Sequence, residues 1–247
     1  MDGGDLMFLV LRAKRIFMVL CLTIFTIGGI IIACNRTLVP VFAPDTTGQA
    51  YYYIIDAGHG GEDGGAVSGD GIAESDLNLS IAVKTEKLLS FLGKNTAMTR
   101  NDGNAVYTDG AATLREKKRS DLENRVSMVN EYTHATLISI HQNSLPSVPA
   151  VHGAQVFYNA VEGAQVLAEQ TQQQLNQSVN LGNEKAAKEI DSSIYLMQHV
   201  NCPAILIECG FLSNSAETQL LQDAHYQTKL AAAIVAGILR TTNGASS

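Results

Sequence analysis

Residues 51–74, YYYIIDAGHGGEDGGAVSGDGIAE, carry the reading of this chain. A β-rich apolar run, YYYIID, ends in a glycine-rich loop that bears His59, and the loop closes at Glu74, where a helical pattern starts. A strand that turns through such a loop into a helix is the opening unit of an α/β layer fold. The loop itself suggests a ligand to be held.

Phosphate is the wrong ligand. DAGHGGEDGG lacks both G-x-G-x-x-G and the Walker lysine, and Glu62 and Asp63 would repel an anion. The glycines fit a different task, letting the backbone turn tightly so that His59 and Glu74 face each other.

Outward from this stretch, strands and helices alternate. Leu77, Ile81, Leu88 and Leu92 recur on one face of a first helix, NTAMTR (95–100) reads as a second strand, and Leu114 to Asn130 as a second helix. ATLISIHQNS (135–144) is a third strand, with Leu137, Ser139 and His141 on one face and Ile138 and Ile140 on the other. GAQVFYN (153–159) is a fourth, a helix spans about 161–179, and AILIECG (204–210) is a further strand introduced by Pro203. Asn214 and Glu217 have capping-box spacing for a short helix, and a last helix runs from about His225 to Arg240 before a fraying tail. The expected fold is a single α/β domain with a mostly parallel twisted sheet flanked by helices.

Upstream, residues 16–34 (IFMVLCLTIFTIGGIIIAC) are free of charge and follow Arg12, Lys14 and Arg15. Such a helix rises about 28 Å, close to the bilayer hydrocarbon thickness, with the basic flank directing the remainder outward. It is expected to be an uncleaved membrane anchor; lipidation of Cys34 after Ile31-Ile-Ala, or ordinary signal cleavage, are the alternatives. All three place the domain outside the cytoplasm. The domain plan is therefore an anchor or signal segment at 1–34, a linker at 35–50, a catalytic domain at 51–241 and a flexible tail at 242–247.

The chain has 247 residues, 46% hydrophobic and 17% charged, which excludes disorder and leaves room for one ordinary core. Its net charge of −7 argues against nucleic acid as a partner. The one basic run, Arg115 to Arg119, falls in a helical pattern and reads as a solvated face. Cys202 and Cys209 lie about 20 Å apart if extended, too far to bond each other.

In sheets of this kind ligands bind beyond the carboxyl ends of the strands. His59 follows the first strand, His141 closes the third, Glu208 ends the strand from Ala204, and Glu74 returns from the glycine loop to the same layer. Two imidazoles and a carboxylate are a catalytic zinc set that leaves a position open. Glu208 is then suited to take a proton from water and pass it to a leaving nitrogen, which describes amide hydrolysis. Taken singly, each of these residues has an ordinary structural reading; their coincidence at one end of the sheet sets them apart.

IIDAGHGGEDGGA, ESDLNLSIA, MTR (98–100), DLENRVSMVN, LISIHQNS and PAILIECGFLSN together resemble the zinc-dependent N-acetylmuramoyl-L-alanine amidases of family three, from about Tyr53 to Leu239. The resemblance implies one Zn2+ ligated by His59, Glu74 and His141, with Glu208 as catalytic glutamate and peptidoglycan as substrate. Within the family it is strongest to the sporulation amidases, through the N-terminal segment, LREKKRSDLENR and SSIYLMQHVNCPAILIECGF. That likeness implies a membrane-anchored enzyme of a bacterial spore envelope, removing stem peptides from cortex peptidoglycan as a first step toward muramic δ-lactam, used in germination.

Some family members are gated by partners, so an activating partner protein is a further expectation. Ala57 stands where many relatives have proline, and Cys209 where an aliphatic residue is common; Cys209 should face away from Glu208. Arg125 and Asn130 should brace the fold. His134, His152, His199 and His225 match no ligand position, with His152 in a loop that could border the cleft. Two rivals remain open at this point: a zinc peptidase or deacetylase acting on another wall bond, and a non-catalytic envelope protein that binds peptidoglycan or a partner.

Overall fold

The computed structural model describes residues 50–244; the apolar segment at 16–34, its flanks and the last three residues lie outside them. Among the described residues no helix is long and apolar enough to cross a membrane.

The chain runs β1 (Tyr52–Ala57), α1 (Glu74–Phe91), β2 (Asn95–Met98), α2 (Leu114–Asn130), β3 (Ala135–Asn143), β4 (Gln155–Tyr158), α3 (Ala164–Ser178), β5 (Lys188–Glu189), α4 (Tyr195–His199), β6 (Ala204–Phe211), α5 (Ser215–Gln222) and α6 (Ala224–Gly244). One six-stranded sheet results, in the order β2-β1-β3-β6-β4-β5. From β2 to β6 the neighbours are parallel; β4 runs antiparallel to β6 and parallel to β5. A parallel neighbour needs a crossover, usually helical. No helix separates β3 from β4, so β4 comes back in the opposite sense.

Alternation along the strands divides the core into two layers. Ile55, Ile138, Ile140, Ile205 and Ile207 pack with α1, α3 and α6, through Ile81, Leu175 and Ile234 among others. Ile54, Leu137 and Leu206 face the other way and meet Val129 of α2 and Leu196 and Met197 of α4. Leu77 and Ile81 are buried on α1 as expected, but Leu89 rather than Leu88 is the fully buried leucine of its last turns.

Three elements differ from the sequence reading. The two-residue β5 and the single-turn α4 were not expected; neither is long enough to show a period. The last helix continues past Arg240 to Gly244. At α5, Asn214 does cap, its side chain accepting from the Glu217 amide at 3.1 Å. The Glu217 carboxylate, however, accepts from the amides of Gly153 (2.7 Å) and Phe211 (2.8 Å), tying the entry to β4 to the end of β6. Cys202 and Cys209 are both free and buried.

Candidate metal centre and active site

At the carboxyl end of β1 the backbone turns sharply. His59 has φ +62°, the only positive φ at a non-glycine position among the described residues. A conformation of this kind costs of order 1–3 kcal/mol and persists only where its surroundings hold it. Two buried guanidiniums do so. Arg125 of α2 donates to the carbonyls of Ala57 (2.8 Å) and His59 (2.7 Å), and Arg100 donates to those of Ala57 (2.8 Å) and Gly58 (3.1 Å). Arg125 in turn is paired with Asp56 at 2.6 Å and Asp121 at 2.7 Å.

Glycine permits the approach of the histidines. A Cβ at Gly58 would lie 2.2 Å from Cε1 of His141, and one at Gly65 would lie 2.5 Å from Oε2 of Glu74 and 2.8 Å from the His59 ring. The loop folds back through the Ala66 carbonyl, which accepts the Glu74 amide at 2.9 Å and so places Glu74 as the first residue of α1. Its carboxylate is well placed at a helix N-terminus.

His59, Glu74 and His141 thereby converge, with one donor atom from each lying within 4.8 Å of the others. Glu74 Oε1 lies 3.3 Å from Nε2 of His59 and 3.0 Å from Nδ1 of His141. Donors on a tetrahedral zinc with bonds of about 2.0–2.1 Å are roughly 3.3 Å apart, so the donor types suit the ion and both Glu74 contacts are close to that spacing. Neighbours outside the set fix two of the donors. Asp63 holds Nδ1 of His59 at 2.9 Å, while Asn78 and the Gln142 amide donate to Glu74 Oε1 at 3.2 and 3.0 Å.

Electrostatics mark the same cluster. Burial would push the His59 imidazole down, but its hydrogen bonds to Asp63 and Glu74 outweigh this and raise it to about 9. Burial would likewise raise Glu74, yet the imidazoles of His141 and His59 hold it well below the usual carboxylate range. The two carboxylates around His59 thus favour positive charge between them, which is what a divalent cation supplies.

Glu208 stands beside this group, its Cα paired with that of His141 across β3 and β6. One carboxylate oxygen, Oε2, is buried without a hydrogen-bond partner. Burial, opposed by the nearby imidazole of His141, raises this acid to about 7. An unpartnered buried carboxylate oxygen needs an explanation, and a raised value near neutrality suits a group that exchanges protons. Cys209 points the other way, into the core with Ile207.

All four expected site residues therefore meet at one end of the sheet. The other histidines do not join them: His199 stacks on Tyr195 with ring centroids 3.9 Å apart, and His152 lies in an exposed loop with Nδ1 3.1 Å from the Ala150 carbonyl. Arg125 braces the fold as expected, and Asn130 ties α2 to His199 and Asn201. Sequence reasoning missed Asp63, which sits four residues after His59; the basic run of α2 is a largely exposed helix face as expected, but its reach to this loop was not foreseen. Lys117 and Lys118 of that run pair with Glu62 and Asp63 of the glycine-rich loop rather than only with solvent. The signal was the match of two adjacent lysines to two adjacent acids.

Comparison with known proteins agrees with this arrangement. The family model described as N-acetylmuramoyl-L-alanine amidase (Amidase_3) matches residues 54–240. The germination-specific N-acetylmuramoyl-L-alanine amidase of Bacillus subtilis (strain 168) is 37% identical over 186 residues, 75% of this chain and 77% of that protein. Among solved structures, the CwlD amidase from Clostridioides difficile in complex with the GerS lipoprotein is 36% identical with a TM-score of 0.75, covering 78% of this chain and 99% of that one. An N-acetylmuramoyl-L-alanine amidase from Clostridium difficile 630 is 31% identical with a TM-score of 0.69, over 79% and 98%. Similarity to cell-wall amidases of this kind implies peptidoglycan as substrate and a site of action outside the cytoplasm. With family match, fold and strand-end cluster in agreement, the chain belongs to the N-acetylmuramoyl-L-alanine amidases and is an enzyme of that activity, of the CwlD-like kind.

Proposed function

We propose that this amidase is zinc-dependent, that His59, Glu74 and His141 hold the single ion, and that Glu208 is its catalytic carboxylate. The reading is carried by the convergence of those three donors beside an unpartnered Glu208 oxygen on the adjoining strand. Zinc, when bound, supplies Lewis acidity, polarising a carbonyl and making water acidic enough to yield hydroxide near neutral pH. The chain's own work is to orient and to move protons. Glu208 accepts a proton from the attacking water and delivers it to the L-alanine nitrogen as the C–N bond breaks. The lactyl carbonyl carbon gains the water oxygen, leaving a carboxylate on muramic acid and a free amine on the stem peptide.

The substrate is spore-cortex peptidoglycan, and removal of the stem peptide is the first step toward the muramic δ-lactam used in germination. Similarity to a germination-specific amidase supports this role. The 16–34 segment tethers the domain at the membrane, ahead of a 35–50 linker, with the catalytic unit at 51–241 and a short tail at 242–247. An activating partner protein is part of the proposal, supported by the relative solved together with a lipoprotein.

Mass analysis of muropeptides released from purified cortex peptidoglycan, with and without chelator, tests the core of this reading. The expected products are stem peptides beginning at L-alanine and glycans with a free lactyl carboxylate, lost on chelation and restored by zinc. Cleavage at another bond, or cleavage indifferent to chelation, would overturn it.

A further inference from the structure

Asp63 does more in this fold than shield a loop. Its Oδ2 lies 2.9 Å from Nδ1 of His59, on the opposite side of the ring from Nε2, the nitrogen turned toward Glu74. The same oxygen is paired with Nζ of Lys118 on α2 at 3.1 Å. Asp63 is held in place by its own backbone: the amides and carbonyls of Gly60 and Asp63 bond reciprocally at 2.8 and 3.1 Å. Next to it, Glu62 pairs with Lys117 and accepts from Tyr107. The metal loop is thus fastened to α2 by two adjacent ion pairs, one of which continues directly to a donor of the metal set.

We propose that Asp63 is a positioning residue for the metal, fixing the His59 ring and directing its Nε2 lone pair at the ion, with Lys118 as the outer member of the relay. The inference rests on the zinc reading given above. A proton kept on Nδ1 by a carboxylate leaves Nε2 as the free donor, and carboxylates in this place commonly alter metal affinity 10–100-fold. An ordinary surface ion pair four residues apart would not have this effect. Three features separate Asp63 from such a pair: the imidazole partner, the two-way backbone bridge that presents it, and the second cation on the same oxygen.

The test compares zinc dissociation constants, measured by competition with a chromophoric chelator, and the visible spectrum of the cobalt(II) form. Wild type, Asp63→Ala, Asp63→Asn, Lys118→Ala and His141→Ala are needed, with zinc-free unfolding curves for each. Asp63→Ala is expected to weaken zinc about 10–100-fold and to change the cobalt spectrum. Asp63→Asn should lose less, because its amide oxygen still accepts from Nδ1. Lys118→Ala should lose only a few-fold, and that loss should fade at high salt.

Zinc affinity within twofold of wild type in the Asp63 variants would overturn the proposal; if the alanine variant does not fold, the asparagine variant decides. A wild type that takes up no zinc, or one whose affinity ignores His141→Ala, would overturn the zinc reading as well. Dependence on His141 without dependence on Asp63 would overturn the positioning role alone.

Discussion

The guanidinium of Arg125 donates to the carbonyl oxygen of His59 at 2.7 Å, so α2 holds the backbone of a histidine in the proposed metal site. The same side chain is almost fully buried and is paired with Asp56. Arg125→Met leaves that aspartate buried without its partner, a change that typically costs about 3–5 kcal/mol. Urea denaturation should show a loss of this order, and Arg125→Lys should not restore it, because an ammonium cannot reproduce the forked contacts. A loss below about 1 kcal/mol would contradict the bracing role.

Gly58 has no room for a side chain. Gly58→Ala sets its methyl group against the His141 imidazole, since the Cβ would lie 2.2 Å from Cε1. Displacing a donor by about 1 Å can cost about a hundredfold in rate. Steady-state hydrolysis of peptidoglycan should fall by that order, with a parallel loss of zinc affinity; unchanged kinetics would mean that His141 moves aside freely.

Replacing Glu208 by glutamine keeps the shape and removes the proton carrier. Turnover should drop about 10²–10⁴-fold while zinc stoichiometry stays at that of the wild type. Because one oxygen of Glu208 is buried without a partner, folded stability should be retained or raised in the variant. Measuring kcat, bound zinc and the unfolding midpoint on one preparation checks all three.

Asp56 should leave a mark on acid stability. Burial works to raise its carboxyl, but Arg125, with hydrogen bonds from Ser139 and Thr99, brings it down to about 2 from 3.8. A depressed folded value means stabilisation that is complete above about 3.8 and is lost as pH falls toward 2. The size is roughly 2 kcal/mol. Unfolding free energies at pH 5 and pH 2 should therefore converge between wild type and Asp56→Asn as the pH drops; a constant gap would deny the linkage.

Legibility in the sequence followed the range of the interactions concerned. Period and punctuation revealed the strand–loop–helix at 51–74, the face of β3 that carries His141 and the end of β6 at Glu208. Strand-end placement then assembled the site without any contact being visible. What escaped were pairings between distant segments: Lys118 with Asp63, Arg125 with the backbone of His59, Glu217 with two amides. Such residues obey local helix or cap patterns equally well whether or not they reach across, so Lys117 and Lys118 read as a solvated face. The direction of β4 was hidden for a related reason, since only the absence of an intervening helix reports it.

The parallel pairing of β1 with β3 has a consequence for when this protein can act. His59 and His141 come together only after strands far apart in the chain have found each other, with a whole helix–strand–helix between them. Contacts of that separation form late and slowly. A chain in which β1 and β3 have not yet paired cannot bring His59 and His141 together, and Glu208 joins them only once β6 has docked on β3, so the cluster is assembled by long-range strand pairing rather than by any local segment.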